Sequence, residues 1–88
     1  MDKILVSRKQ AAKFLGVSTQ TVDRRIEKLE ELSPRRYDMP VIRADGFVRI
    51  NLLCLIDYIG YENFFKAGVA VPPFKPDVVA KELALASE

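Results

Sequence analysis

The chain of 88 residues contains no histidine and no tryptophan, and its single cysteine is Cys54. A structural zinc site needs several cysteine or histidine ligands, and the common nucleophilic mechanisms pair a serine or a cysteine with a histidine base. The chain lacks the residues for the usual structural zinc site and for a nucleophile paired with histidine. We therefore expect no metal, no cofactor and no catalytic residues, and we do not expect an enzyme.

Long apolar runs are also missing. No stretch approaches the roughly 20 residues that span a bilayer, and charged residues follow the short apolar patch at the start, unlike a secretion signal. A lone cysteine cannot form an internal disulfide and suits a reducing compartment. Because hydrophobic residues make up 49% of the chain, it has enough apolar material for one modest core. The sequence favours a small cytoplasmic domain without membrane contact.

The charge is small overall but unevenly distributed. Residues 1–50 hold eleven Lys and Arg against seven Asp and Glu, a net charge of +4. Residues 51–88 hold three against five, a net charge of −2. A basic first half is compatible with a polyanionic partner, although many domains with neutral partners show a similar asymmetry.

Two short helices joined by a tight turn are predicted near the start. Ser7 is followed three residues later by Gln10, the spacing of a capping box, and Ser18 is suited to cap a second helix. Gly16 stands where a helix end favours left-handed backbone. Apolar residues in the second helix recur at i, i+4 and i+7, and Pro34 is expected to end it. These apolar residues are Val22, Ile26 and Leu29.

A β-hairpin is predicted after a loop with two prolines, residues 34–40. The stretch "VIRADGFVRIN", residues 41–51, places strand-forming residues on both sides of an Asp-Gly turn signal. Asn51 is suited to cap a third, strongly apolar helix. Residues 67–88 are predicted to form a Pro-containing linker and a short amphipathic helix. That helix, over residues 76–86, either folds back on the core, pairs with a second copy or frays.

This order of elements predicts a mainly α fold with a small β-hairpin (α+β), of the winged helix-turn-helix type. Residues 1–66 would form a DNA-binding domain, with the second helix in the major groove and the hairpin as the wing. In a helix-turn-helix pair, a small residue lies at the close contact between the helices, a glycine lies in the turn and an aliphatic residue lies in the core. Ala12, Gly16 and Val22 have this spacing. The alternative is an ordinary three-helix bundle, in which similar turns occur.

The outer face of the second helix carries side chains that suit double-stranded DNA. At about 100° per residue, three of them lie opposite the apolar stripe: Gln20, Arg24 and Lys28. Arginine can fork onto guanine, glutamine can pair with adenine, and lysine and hydroxyl groups can hold phosphate. The amides and dipole of the first turn also favour phosphate. The candidate DNA-binding residues on this helix are Ser18, Thr19, Gln20, Thr21, Arg24, Arg25 and Lys28.

Acidic residues and the hairpin bear on the same interpretation. Asp23 and Glu27 lie beside the basic face and either repel phosphate or pair with neighbouring arginines. Arg43 and Arg49 flank the Asp-Gly turn, and we expect both to contact phosphate or the minor groove. The alternatives are that the helix presents an ordinary solvated face and that the hairpin arginines are solubilising edge charges.

Two segments together resemble a known family. The quoted residues "SRKQAAKFLGVSTQTVDRRI" and "MPVIRADGFVRINLLCLIDYI" are similar to the excisionase-type, MerR-like winged helix-turn-helix domains of phage and mobile-element proteins. That family typically shows a capped "EAA..LGVS..TV.R" segment, a proline before a short basic hairpin, and then "RI…L..Y". The resemblance covers residues 4–60. Arg25 departs from the pattern, because these domains usually carry an apolar residue there.

The resemblance implies a DNA-binding protein without chemistry of its own, acting on the nucleoid of a bacterial cell. It implies an excisionase-like factor that bends DNA and assists a recombinase or integrase, or else a small transcription regulator. Thr21 and Arg24 would then be recognition-helix contacts, and Arg43 and Arg49 wing contacts. We expect self-association through residues 76–86 to support binding. Two alternatives stay open: the DNA-recognition domain of a phage small terminase subunit, and a protein-interaction module without DNA binding.

Overall fold

The computed structural model describes residues 4–33 and 35–86. Over these residues the protein is a compact mixed α+β structure with four helices and one small antiparallel sheet of three strands. The predicted α+β class is therefore observed. The elements are β1 (Leu5–Val6), α1 (Arg8–Leu15), α2 (Thr19–Glu31), β2 (Val41–Ala44), β3 (Phe47–Asn51), α3 (Leu52–Ala67) and α4 (Pro76–Ala86).

Local capping rules account for the positions of α1 and α2. The capping box predicted for α1 is present, because Ser7 Oγ accepts from the Gln10 amide at 3.1 Å and Gln10 Oε1 accepts from the Ser7 amide at 2.8 Å. Gly16 ends α1 with φ +69°, and its amide donates to the Lys13 carbonyl. The Val17 amide donates back to the Ala12 carbonyl at 3.0 Å. These two bonds form a Schellman motif, which fixes the turn before α2.

Replacement of Gly16 by alanine tests this turn. A Cβ atom there would meet no other atom within 4 Å, so only the left-handed backbone is strained. We expect Gly16→Ala to lower the free energy of unfolding by about 1 kcal/mol in urea denaturation. The matched control is Gly60→Ala inside α3, which is equally open but has ordinary helical backbone. That variant should gain roughly 0.5–1 kcal/mol. Shifts of the same sign in both variants would contradict this explanation.

The sheet has the order β1-β3-β2, with β3 in the centre. The predicted hairpin is present, and Gly46 has φ +81° in its two-residue turn. Strand β1 is not predicted from the sequence, since it comprises only two residues. It forms because Val6 pairs with Ile50 and because the Ile4 amide donates to Asn51 Oδ1 at 3.2 Å. Asn51 also caps α3, so one side chain joins the first strand to the third helix.

The core lies between α1, α2, α3 and the inner face of the sheet. Val22, Ile26 and Leu29 are all buried, as the apolar stripe predicts. Helix α2 ends at Glu31 with Leu32 as its C-cap, and Pro34, which is predicted to stop it, lies outside the described residues. The start of α3 is almost completely buried. Its core contribution consists of Leu52, Leu53, Cys54, Leu55 and Tyr58.

The segment after α3 returns to the same core. Phe74 contacts the buried Tyr37 ring edge-on, with centroids 5.1 Å apart, and Val79 of α4 is buried. Leu83 packs partly buried against the core cluster. Of the three possibilities considered for this helix, the structure has the one in which it folds back. Self-association through residues 76–86 therefore stays a prediction. Such an association would have to use the side of α4 that faces away from the core.

Candidate nucleic-acid interface

The N-terminal turn of α2 is organised by Ser18. Its Oγ accepts from the Thr21 amide at 3.2 Å and lies 3.1 Å from Thr21 Oγ1. Arg24 Nη2 donates to Thr21 Oγ1 at 3.4 Å. Directly after Ser18, Thr19 is half-buried and Gln20 is exposed. The turn therefore presents a connected set of hydroxyl groups and one guanidinium at the positive end of the helix dipole.

The outer face of α2 is exposed at the three predicted positions, Gln20, Arg24 and Lys28. Lys28 is within 3.5 Å of Glu31, but both side chains are more than half exposed, so the pair is weak. The side chain of Arg25 is only 22% exposed, and its Nε lies 3.6 Å from Glu62 on α3. Arg25 therefore lies at the flank of the helix, where it lines an open depression between α2 and α3.

The acidic residue Asp23 forms a close ion pair. Arg8 at the start of α1 donates two hydrogen bonds to its carboxylate, at 2.6 and 2.5 Å. Of the two possibilities considered for Asp23, the structure therefore has pairing with an arginine. This forked contact offsets the negative charge beside the basic face of α2 and joins the first helix to the second.

The hairpin places its two predicted arginines on opposite faces of the sheet. Arg43 lies opposite Val48, and Arg49 lies opposite Ile42. Residues that face each other across an antiparallel pair share a face, so the two arginines point in opposite directions. The expected contact of both arginines with phosphate or the minor groove would therefore have to be made from two faces of the hairpin.

Arg43 points toward α2. Its guanidinium donates to Glu30 at 2.7 and 3.3 Å, and these hydrogen bonds lower the pKa of Glu30. Arg49 is on the other face, 4.8 Å above the Phe47 ring, and donates to the Val48 carbonyl. Arg43 thus connects the hairpin to α2, whereas Arg49 is held flat against an exposed aromatic ring.

Basic side chains line two depressions. One lies between the start of α1 and the hairpin and is lined by four of them: Arg8, Lys9, Arg43 and Arg49. The other lies between α2 and α3 and is lined by another four: Arg24, Arg25, Lys28 and Lys66. The structure therefore brings Thr21, Arg24, Arg25 and Lys28 together, whereas Arg43 and Arg49 line the separate depression, in whose lining α2 takes no part.

Three basic residues of this surface are not among those predicted from the sequence: Arg8, Lys9 and Lys66. Arg8 and Lys9 begin α1, and nothing in their spacing along the sequence relates them to the hairpin. Lys66 lies one helical turn after Glu62, at 3.7 Å, which is a recognisable i, i+4 pair. This spacing predicts an ion pair between Glu62 and Lys66 on the surface of one helix, but it does not reveal that α2 lies beside that surface.

Comparison of the chain with protein-family models, with curated proteins and with solved structures finds no significant match. Among residues 4–33 and 35–86, no group of three or more Cys, Asp or Glu side chains is placed to hold a metal ion. Within the same part of the chain, every helix is too short or too polar to cross a bilayer.

Proposed function

We propose that this protein binds double-stranded DNA as a winged helix-turn-helix module. The observation that carries the proposal is the tight α1–α2 turn together with an exposed basic face on α2, flanked by cations from the hairpin and from α3. Helix α2 has 13 residues and a length of about 20 Å, which suits insertion into the major groove. The hairpin would then lie beside the adjacent backbone or minor groove.

The side chains divide between base and phosphate contacts. Gln20 and Arg24 are exposed on the side of α2 that would face the bases, and both types form paired hydrogen bonds with purines. Ser18, Thr19 and Lys28 suit phosphate, since they are at the helix start or on a flexible stem. Arg49, stacked on the exposed Phe47, is pre-oriented for the minor groove or the backbone.

The finer role rests on the family resemblance of residues 4–60. We propose an excisionase-like architectural factor or a small transcription regulator of a phage or mobile element, acting in the cytoplasm on the nucleoid. A terminase-type recognition domain would use the same surface. A single small module has limited affinity, so cooperative binding or self-association is expected.

A second candidate of another class is a protein-interaction module. One observation favours it: an apolar groove lies between α1, α3 and α4, and Phe14 at its border is 53% exposed. A protein partner would bury this groove and leave the basic face of α2 unused. The two candidates therefore predict contacts on different surfaces of the molecule.

The proposal is tested by fluorescence anisotropy with a random duplex of about 30 base pairs, titrated with salt. We expect binding whose log–log salt slope has a magnitude of several units, and Lys28→Ala, which removes a proposed phosphate contact, should reduce that magnitude by about one. The control is Lys81→Ala on α4, which removes the same charge from an exposed position elsewhere. Absence of wild-type binding even at low salt would contradict the proposal.

A further inference from the structure

The depression between α2 and α3 has an unusual charge balance. Its lining includes four cations and a single carboxylate, Glu62, so the charged lining residues sum to +3. The side chain of Glu62 is 25% exposed and lies between Arg25 and Lys66. Two helices that are distant in sequence therefore place like charges around one opening, where their mutual repulsion is unfavourable unless an anion is present.

The pairs that Glu62 makes are loose. Its oxygens are 3.6 Å from Arg25 Nε and 3.7 Å from Lys66 Nζ, beyond ordinary hydrogen-bond distance. Elsewhere on the molecule, Arg8 and Arg43 form forked hydrogen bonds with carboxylates at 2.5–3.3 Å. Arg25 and Lys66 therefore retain hydrogen-bond donors for another anion, whereas the donors of Arg8 and Arg43 are already engaged by carboxylates.

We infer that a backbone phosphate of bound DNA occupies this depression, held by Arg25 of α2 and Lys66 of α3 in place of Glu62. The inference rests on the proposed function and adds a contact from α3. Arg25 is suited to the role because its half-buried stem fixes the guanidinium at the edge of α2. Lys66 is 67% exposed, so its ammonium can move a few ångströms to reach phosphate. Glu62 partly neutralises both cations while DNA is absent.

The first test replaces Lys66 by alanine and measures the salt slope of binding to the same random duplex. Loss of one phosphate contact should reduce the slope magnitude by about 0.9, close to one unit. The matched control is Lys75→Ala, an exposed lysine before α4, which should leave the slope unchanged. A Lys66→Ala slope equal to that of the wild type, with wild-type binding intact, would overturn the inference while the proposed function stands. Absence of wild-type binding would overturn both.

The second test changes the carboxylate. Glu62→Gln removes the competing anion and should tighten duplex binding roughly two- to five-fold, because both ion pairs of Glu62 are long and therefore weak. Glu82→Gln on α4 makes the same change in net charge and should have no comparable effect. Equal affinities for Glu62→Gln and Glu82→Gln would show that Glu62 does not compete with DNA, which overturns the inference.

A third measurement distinguishes DNA phosphate from free phosphate. Backbone amide resonances around residues 25, 62 and 66 are followed by NMR at constant ionic strength. We expect them to shift with the duplex and to show no saturable response to inorganic phosphate up to about 10 mM, because one exposed site without enclosure binds a lone anion weakly. Saturation by inorganic phosphate, with no response to duplex, would overturn the assignment to DNA.

Discussion

Reversal of two charges on α2, in the double variant Arg24→Glu and Lys28→Glu, is expected to weaken duplex binding by at least about 100-fold. Loss of one base contact by arginine is worth about 1–3 kcal/mol, and loss of one phosphate contact lowers the salt slope by about one. Reversal adds repulsion between the new carboxylates and the phosphates. Both positions are exposed on the outer face of α2, so the fold should tolerate the change.

The matched control is the double variant Lys75→Glu and Lys81→Glu. Lys75 lies just before α4 and Lys81 lies within it. This control produces the same net charge, so the two double variants differ only in where the charge changes. If binding depends on overall charge alone, both variants will weaken equally, and the assignment of the α2 face will be wrong. If the α2 variant loses DNA binding and still captures a protein partner, the apolar groove beside Phe14 becomes the separate site of that partner.

The second large effect concerns stability. Asp57→Ala is expected to lower the free energy of unfolding by about 3–5 kcal/mol, measured by urea denaturation. At about 0.05–0.15 kcal/mol per residue, a domain of this size has about 4–13 kcal/mol of stability, so the substitution should remove a large part of it. The carboxylate of Asp57 is 6% exposed and is the shared acceptor of a buried polar cluster.

The contacts of Asp57 explain the expected size of the effect. Its Oδ2 accepts from Tyr37 Oη at 2.7 Å and from Arg36 Nε at 3.0 Å. Arg36 Nη2 lies 2.9 Å from the same oxygen without favourable hydrogen-bond geometry, so that contact is ionic. Burial raises the pKa of Tyr37, with a further contribution from the Asp57 carboxylate, which keeps the hydroxyl protonated as a donor. Alanine at this position would leave the largely buried Arg36 guanidinium without a counter-charge and the buried Tyr37 hydroxyl without its acceptor.

The same cluster connects the tail to the core. Arg36 Nη1 donates to the Pro72 carbonyl at 2.6 Å, and its guanidinium lies within 6 Å of the Tyr37, Tyr61 and Phe65 rings. Glu82→Ala, an exposed carboxylate of α4, serves as the control and should change stability by less than about 0.5 kcal/mol. A comparably small change for Asp57→Ala would show that the cluster contributes little to the fold.

Helix ends and the hairpin are predictable from the sequence because neighbouring residues determine them. Ser7, Ser18 and Asn51 bond backbone amides two or three residues away, and Gly16 adopts the backbone that its position favours. The two-residue turn of the hairpin also sets the register. It pairs position 44 with 47 and 43 with 48, so the opposite directions of Arg43 and Arg49 could have been read from the sequence.

Other features depend on tertiary packing. Strand β1 is too short for any periodicity, and it exists because β3 offers an open edge and Asn51 a side-chain acceptor. The two adjacent arginines after Pro34 look equivalent in sequence, yet Arg35 is exposed and Arg36 is held by Asp57, which is 21 residues away. Lys66 joins the basic surface only because α3 packs beside α2.

The most direct test of the DNA-binding proposal is an NMR titration of the isotope-labelled protein with duplex DNA, mapping which backbone amides shift. We expect the largest shifts in residues 18–28 and around the hairpin turn. Shifts confined to the groove between α1, α3 and α4, or none at low salt, would contradict the proposal.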